Sequence, residues 1–148
     1  MNSLFDPQHN ATTIERVRAV RADSPAQWGK MNAGQMMAHC QKPFEMAFGE
    51  SDVRAGFLMR MVGRVFRKGV LSDEPFKKNL QSAKEFFAQG DVDFATEQER
   101  LIELIQRFGG GPAGVADRPH PFFGPMNPSE WDHLMAKHLD HHLNQFGV

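Results

Sequence analysis

Apolar residues along this chain recur at intervals of three and four, the period of a helix that buries one face, and they show no alternation of period two. The first such stretch, "TTIERVRAVRAD", carries Ile14, Val17 and Ala22 at helical intervals. Thr12 is placed to cap it, with Glu15 three residues on as the capping-box partner. Ser24-Pro25 bounds the element, because proline disfavours helical geometry in the residue before it. After Trp28, "MNAGQMMAHCQKPFEMAFGE" predicts a second helix with Asn32 as N-cap and Gln35 at the third helical position. Met31, Gln35, Met36, His39, Pro43 and Met46 share its broad inner face.

The third stretch, "VRAGFLMRMVGRVFRKGV", sets Phe57, Leu58, Met61, Val62, Val65 and Phe66 against Arg54, Arg60, Arg64, Arg67 and Lys68. The pattern predicts a helix with its apolar side on the core and its arginines in solvent. Gly56, Gly63 and Gly69 weaken it, since an interior glycine costs ~1 kcal/mol against alanine. A basic amphipathic helix lying on a membrane surface or a partner is the alternative reading.

Residues 71–91 lose the period and read as a loop crossing the bundle, with one or two helical turns over 82–88. "DFATEQERLIELIQRFGGG" is the cleanest helix, over 96–108. Leu101, Ile102, Leu104, Ile105 and Phe108 form its stripe, and three glycines stop it. The Pro/Gly-rich "GGGPAGVADRPHPFFGPM" follows, at a length where a connection is more often functional than idle. "NPSEW" then opens the last helix, with Asn127 as N-cap, Pro128 first and Glu130 third, and nothing breaks it before Phe146. The pattern predicts an all-α single domain over residues 1–148, with four main helices, an additional short helix and long connecting loops.

Charge removes one class of function. With 17 Lys+Arg against 18 Asp+Glu there is no global pull toward nucleic acid or an anionic membrane, and neither partner is expected. One cysteine, Cys40, excludes an intramolecular disulfide and a multi-thiolate zinc site. "MNSLFDPQHN" lacks the basic start and apolar core of a signal peptide, so the expected location is cytoplasmic. Tyrosine is absent beside 13 Phe and 9 Met, which leaves acid–base chemistry to His, Asp, Glu or a metal.

Histidine is where the chemistry concentrates. On the last helix the buried stripe of Trp131, Leu134 and Met135 continues to His138, then His141 or His142, then Gln145. His138 and His142, four apart, point about 40° from one another on consecutive turns, a spacing that lets two imidazoles meet one ion. His141 is a candidate substitute, and His133 lies off the stripe, toward solvent. The competing account is an ordinary core followed by a fraying, histidine-rich end.

His39, alone on the apolar face of another helix, reads by itself as a hydrogen-bonded core histidine; brought by a bundle to His138 and His142, it would supply a third nitrogen and leave a position for water, as in catalytic zinc sites. Pro43 cannot bond the His39 carbonyl, so that helix either kinks for packing or frees the carbonyl beside the site. Gln35, His141 and Gln145 are candidates to orient these ligands, and His120 in "RPHPFFGPM" could fold over a site mouth. Asp140 is turned away toward solvent. Cys40, about 100° around from His39, reads as a small buried residue rather than a nucleophile.

"WGKMNAGQMMAHC" and "HPFFGPMNPSEWDHLMAKHLDHHLNQFG" together resemble the DinB/YfiT-like superfamily of bacterial metal-binding four-helix bundles, in a branch of small uncharacterised proteins. The resemblance covers almost the whole chain, with its specific part in these two segments. It implies an up-down-down-up bundle, often dimeric. It also implies a divalent ion (zinc, nickel, iron or manganese) on one histidine of the second helix and two, four apart, on the last, which fall here on His39, His138 and His142. Relatives include metal-dependent isomerases and transferases that use low-molecular-weight bacterial thiols.

The expected function is therefore a metal-dependent enzyme activating a thiol or water for transferase, isomerase or hydrolase chemistry on a small molecule. No residue is assigned a catalytic role of its own, and the chain shows no recognisable thiol-cofactor site or anion loop. The alternative is a non-catalytic, metal-binding, stress-associated or dimerising bundle.

Overall fold

A computed structural model of the protein describes residues 2–79 and 90–148. These residues form five α-helices and one short 3-10 turn: α1 (Pro7–Ala19), α2 (Ala33–Ala47), α3 (Phe57–Val70), α4 (Phe94–Phe108), the turn Pro112–Gly114, and α5 (Pro128–Gln145). No strand occurs among the described residues. The turns expected over 82–88 lie outside them.

Local capping chemistry starts two helices where the sequence predicts. Asn32 and Gln35 close a reciprocal capping box on α2, and Asn127 and Glu130 do the same on α5 behind Pro128. Thr12, by contrast, is not the cap of α1. Asp6 is, accepting from the His9 N–H at 2.8 Å with Pro7 as the first helical residue, while the Thr12 hydroxyl donates to the Gln8 carbonyl inside the helix. An acidic cap followed by proline is the stronger start because proline lacks the N–H that a first turn leaves orphaned. At the other end of α1, Gln98 of α4 donates to the Val17 and Val20 carbonyls, satisfying groups a helix terminus leaves bare.

Four of the helices share the core, with contacts running α1–α4, α4–α2, α2–α5 and α5–α1. Val17, Met36, Met37, Phe44, Leu101, Ile105, Phe108, Trp131, Met135, Leu139 and Leu143 are fully buried between them. Each large apolar side chain of this kind stabilises the fold by about 1.5–3 kcal/mol relative to exposure. The N-terminal segment is pinned beneath. Leu4 is buried, its N–H donates to Asp132 Oδ1 at 2.7 Å, and Asn10 Nδ2 donates to both the Leu4 and Ile105 carbonyls.

The expected orientation of α3 is overturned. Phe57, Leu58, Met61, Val62, Val65 and Phe66 are exposed rather than core-facing, and α3 starts at Phe57 instead of Val53. Its inward side is the one carrying Gly63 and Arg67. Gly63 is buried so closely under Phe122 that a Cβ would collide with the Phe122 carbonyl. Arg67 donates to the Phe123 carbonyl at 2.9 Å and pairs with Glu130 at 2.6 Å. A planar guanidinium facing several acceptors, together with the glycine that allows close approach, holds this side of α3 against the body of the protein. No helix among the described residues is long and apolar enough to cross a membrane.

Candidate metal centre

Packing of α2 against α5 brings together three imidazoles from distant parts of the chain. One ring nitrogen each of His39, His138 and His142 lie within 4.8 Å of one another. The ring centroids form a near-equilateral triangle, with separations of 5.0 Å (His39–His138), 4.7 Å (His39–His142) and 4.7 Å (His138–His142). His39 Nε2 and His138 Nε2 are 3.1 Å apart. Two nitrogens bound to one tetrahedral ion at ordinary zinc–nitrogen lengths would stand about 3.3 Å apart. The three residues therefore fit a single ion and could hold one.

Their electrostatics suit ligation. His39 and His142 are buried and His138 is half-buried. Burial, reinforced by the neighbouring histidines, holds the His138 pKa well below 6.5. Burial also lowers that of His142 to about 3, with His39 adding to the effect and the Gln145 hydrogen bond opposing it. A neutral imidazole keeps the lone pair that a metal requires.

Gln145 fixes which nitrogen of His142 carries that lone pair. Gln145 Nε2 donates to the Trp28 carbonyl at 2.7 Å, which turns Oε1 toward His142 Nδ1 at 2.8 Å. An amide oxygen only accepts, so Nδ1 carries the proton and Nε2 keeps the lone pair. The Trp28 strap is itself tied down by the Gln27 N–H, which donates to the Gln145 carbonyl at 2.8 Å. Trp28 and Gly29 are the participants that sequence reasoning missed. Their contribution is a backbone carbonyl and a left-handed turn at φ 81°, and the "WG" dipeptide is the one trace of it.

The other candidates are spread around the centre. His141 is not in the triad: its ring packs 5.0 Å from that of His142 and lies between Trp28 and Phe76. Gln35 is occupied at the α2 N-terminus, its Oε1 accepting from the Asn32 N–H and its Nε2 donating to the Gly90 carbonyl.

His120 does not roof the site. It is buried against Trp131, seven residues and about 10 Å along α5 before His138, and its Nδ1 accepts from the Phe122 and Phe123 N–H groups. His133, expected in solvent, instead meets the Ser72 carbonyl at 3.0 Å. Asp140 faces outward as expected and pairs with Arg16 at 2.8 Å. Cys40 is fully buried and burial pushes its thiol pKa far up, so it serves as a small apolar residue rather than a nucleophile. The α2 helix runs continuously through Pro43.

A cleft of about 990 Å³ runs along the neighbouring face of α5. Trp28, Phe76, Lys78, Lys137 and His141 are among its lining residues, and the three clustered histidines are not. His141 thus touches both the cleft and His142.

A family profile described as "Protein of unknown function (DUF1569)" matches residues 5–147. The chain belongs to that family. No curated protein and no solved structure matches it. The DUF1569 match takes in every residue of the cluster together with Trp28, His141 and Gln145.

Proposed function

We propose that this DUF1569 protein is a DinB/YfiT-like bundle of up-down-down-up order, a single domain in which His39, His138 and His142 hold one divalent ion at the centre of a metal-dependent enzyme. The observation that carries this reading is the convergence of three imidazole ring nitrogens within 4.8 Å. Three imidazoles without a carboxylate favour zinc, nickel or iron over manganese, which prefers oxygen ligands. A bound ion supplies Lewis acidity that lowers the pKa of a thiol or water brought to its remaining position. His39, His138 and His142 bind, Gln145 orients His142, and His141 separates the pair of functions: cleft on one side, ligand on the other. The cleft is of a size for a small molecule such as a low-molecular-weight thiol.

The test is elemental analysis of protein purified without an affinity tag. One equivalent of metal per chain is expected, falling to background in a His138→Ala/His142→Ala double variant. Stoichiometric metal that survives loss of both histidines overturns the assignment.

A second reading is favoured by one observation, that the cleft is lined by His141 and not by the triad. On this reading the ion is sequestered and the protein is a non-catalytic metal-binding bundle. Cobalt-loaded protein separates the two: a thiolate-to-cobalt absorption band on adding a small thiol supports the enzyme, and an unchanged spectrum supports sequestration.

A further inference from the structure

The outward side of α3 is the largest exposed apolar feature of the described residues. Phe57 is 79% exposed, Val65 77%, Leu58 73%, Phe66 62% and Met61 52%. Monomeric soluble proteins rarely leave a contiguous apolar patch of more than a few hundred Å² without a use for it. The helix is anchored from its opposite side by Gly63 and Arg67, so the apolar stripe cannot turn inward without breaking those contacts.

Charge identifies the occupant. Arg60, Arg64 and Lys68, spaced by four, form one exposed row alongside the stripe. They make no ion pair among the described residues, whereas Arg67, on the inner side, is neutralised by Glu130. Residues 57–70 contain no Asp or Glu.

A second copy of α3 would cover the stripe but offers these cations nothing. In an antiparallel pair the two-fold axis sets both cation rows on the same side, where they repel, and in a parallel pair each row faces a flank without acids. A surface that accepts apolar side chains and supplies negative charge at their edge meets both demands. That is the interface of an anionic bilayer, where an amphipathic helix lies in the plane with its arginines at headgroup level.

We propose that α3 docks the protein peripherally onto an anionic lipid surface, with Leu58, Met61 and Val65 inserted and Arg60, Arg64 and Lys68 on the headgroups. This takes up the membrane-surface alternative that the basic amphipathic pattern raises, and it is independent of the metal centre.

The test is flotation of the full chain with vesicles at low salt. Wild-type protein should float with vesicles of equal parts phosphatidylcholine and phosphatidylglycerol, stay behind with phosphatidylcholine alone, and release as salt shortens the electrostatic range. Arg60→Gln/Arg64→Gln should lower partitioning roughly 30-fold. Leu58→Gln/Val65→Gln, at exposed positions that leave the core intact, should lower it by a comparable factor, with the helical circular dichroism of both variants unchanged. No flotation of wild type on the anionic vesicles, or flotation indifferent to both variants, overturns the proposal. So does a lipid-free dimer in sedimentation that Leu58→Gln/Val65→Gln dissociates, because it assigns the face to a second copy.

Discussion

Gln145 Oε1 sits 2.8 Å from His142 Nδ1, and the same amide donates to the Trp28 carbonyl at 2.7 Å. A backbone carbonyl more than a hundred residues away therefore decides which nitrogen of a candidate ligand is free. Gln145→Leu keeps the approximate volume and removes both bonds. We expect a 10–100-fold loss of metal affinity, read by competition with a chelating dye, without loss of helicity. Gly29→Ala should act in the same direction from outside the cluster. The residue sits at φ 81°, and a Cβ there would come within 2.6 Å of Gln145 Nε2, pushing the amide off His142. Unaltered affinity in both variants would show that the amide does not set the tautomer.

Metal should also stabilise the fold, because the three nitrogens are gathered only when α2 and α5 are packed. At a free-ion concentration of about 100 times Kd the linkage is worth about 2.7 kcal/mol. For a chain of 148 residues this raises the melting temperature by roughly 5–10 °C. His39→Ala should abolish the rise as fully as His142→Ala does. A rise that persists in His39→Ala would restrict the site to α5.

Which parts of this were legible in the sequence follows the range of the forces involved. Asn32–Gln35 and Asn127–Glu130 could be read because a capping box is a contact between residues three apart. His138 and His142 could be paired because helical spacing alone sets their angle, and His39 could be added because a lone imidazole among Met36 and Met46 wants a reason. Asp6-Pro7 also carried a legible start signal, and the Thr12–Glu15 pair masked it.

The orientation of α3 was not legible. A helical wheel says which residues share a face, and it does not say which face meets the body. That was decided by Phe122, Phe123 and Glu130, some sixty residues away in sequence. Gly63 read as a cost to the helix and is the point of closest approach. Nor could Trp28 be recognised as a partner of Gln145, since every residue has a carbonyl and only the tertiary fold selects one.

The Gly63 contact and the Arg67 contacts should be separable from the metal site. Gly63→Ala places a methyl group against the Phe122 carbonyl, an overpacking that costs about 1–3 kcal/mol locally. Arg67→Lys keeps the charge and loses the planar fork that meets Glu130 and the Phe123 carbonyl together. Both should speed tryptic cleavage at Arg60 and Arg64 by loosening α3, while metal affinity stays at the wild-type value. Cleavage at the wild-type rate would mean that α3 is held by something other than these contacts.

The acid side of the stability profile should carry the signature of His120. Burial, followed by the Arg67 guanidinium, lowers its pKa from 6.5 to about 3 in the folded protein. In the unfolded chain the imidazole takes up a proton as pH falls below 6.5, while in the folded protein it stays neutral until about 3. The unfolded state thus binds more protons across that window. The contribution to stability is complete above pH 6.5 and is lost as pH falls toward 3, at about 1.4 kcal/mol per pH unit.

His120→Asn keeps an acceptor for the Phe122 and Phe123 N–H groups and removes the titration. Urea unfolding of metal-free protein at a series of pH values should show wild type the more stable at neutral pH, with the difference shrinking or reversing on acidification. Parallel profiles would mean that His120 titrates alike in the folded and unfolded chain, and that its burial against Trp131 does not persist in solution.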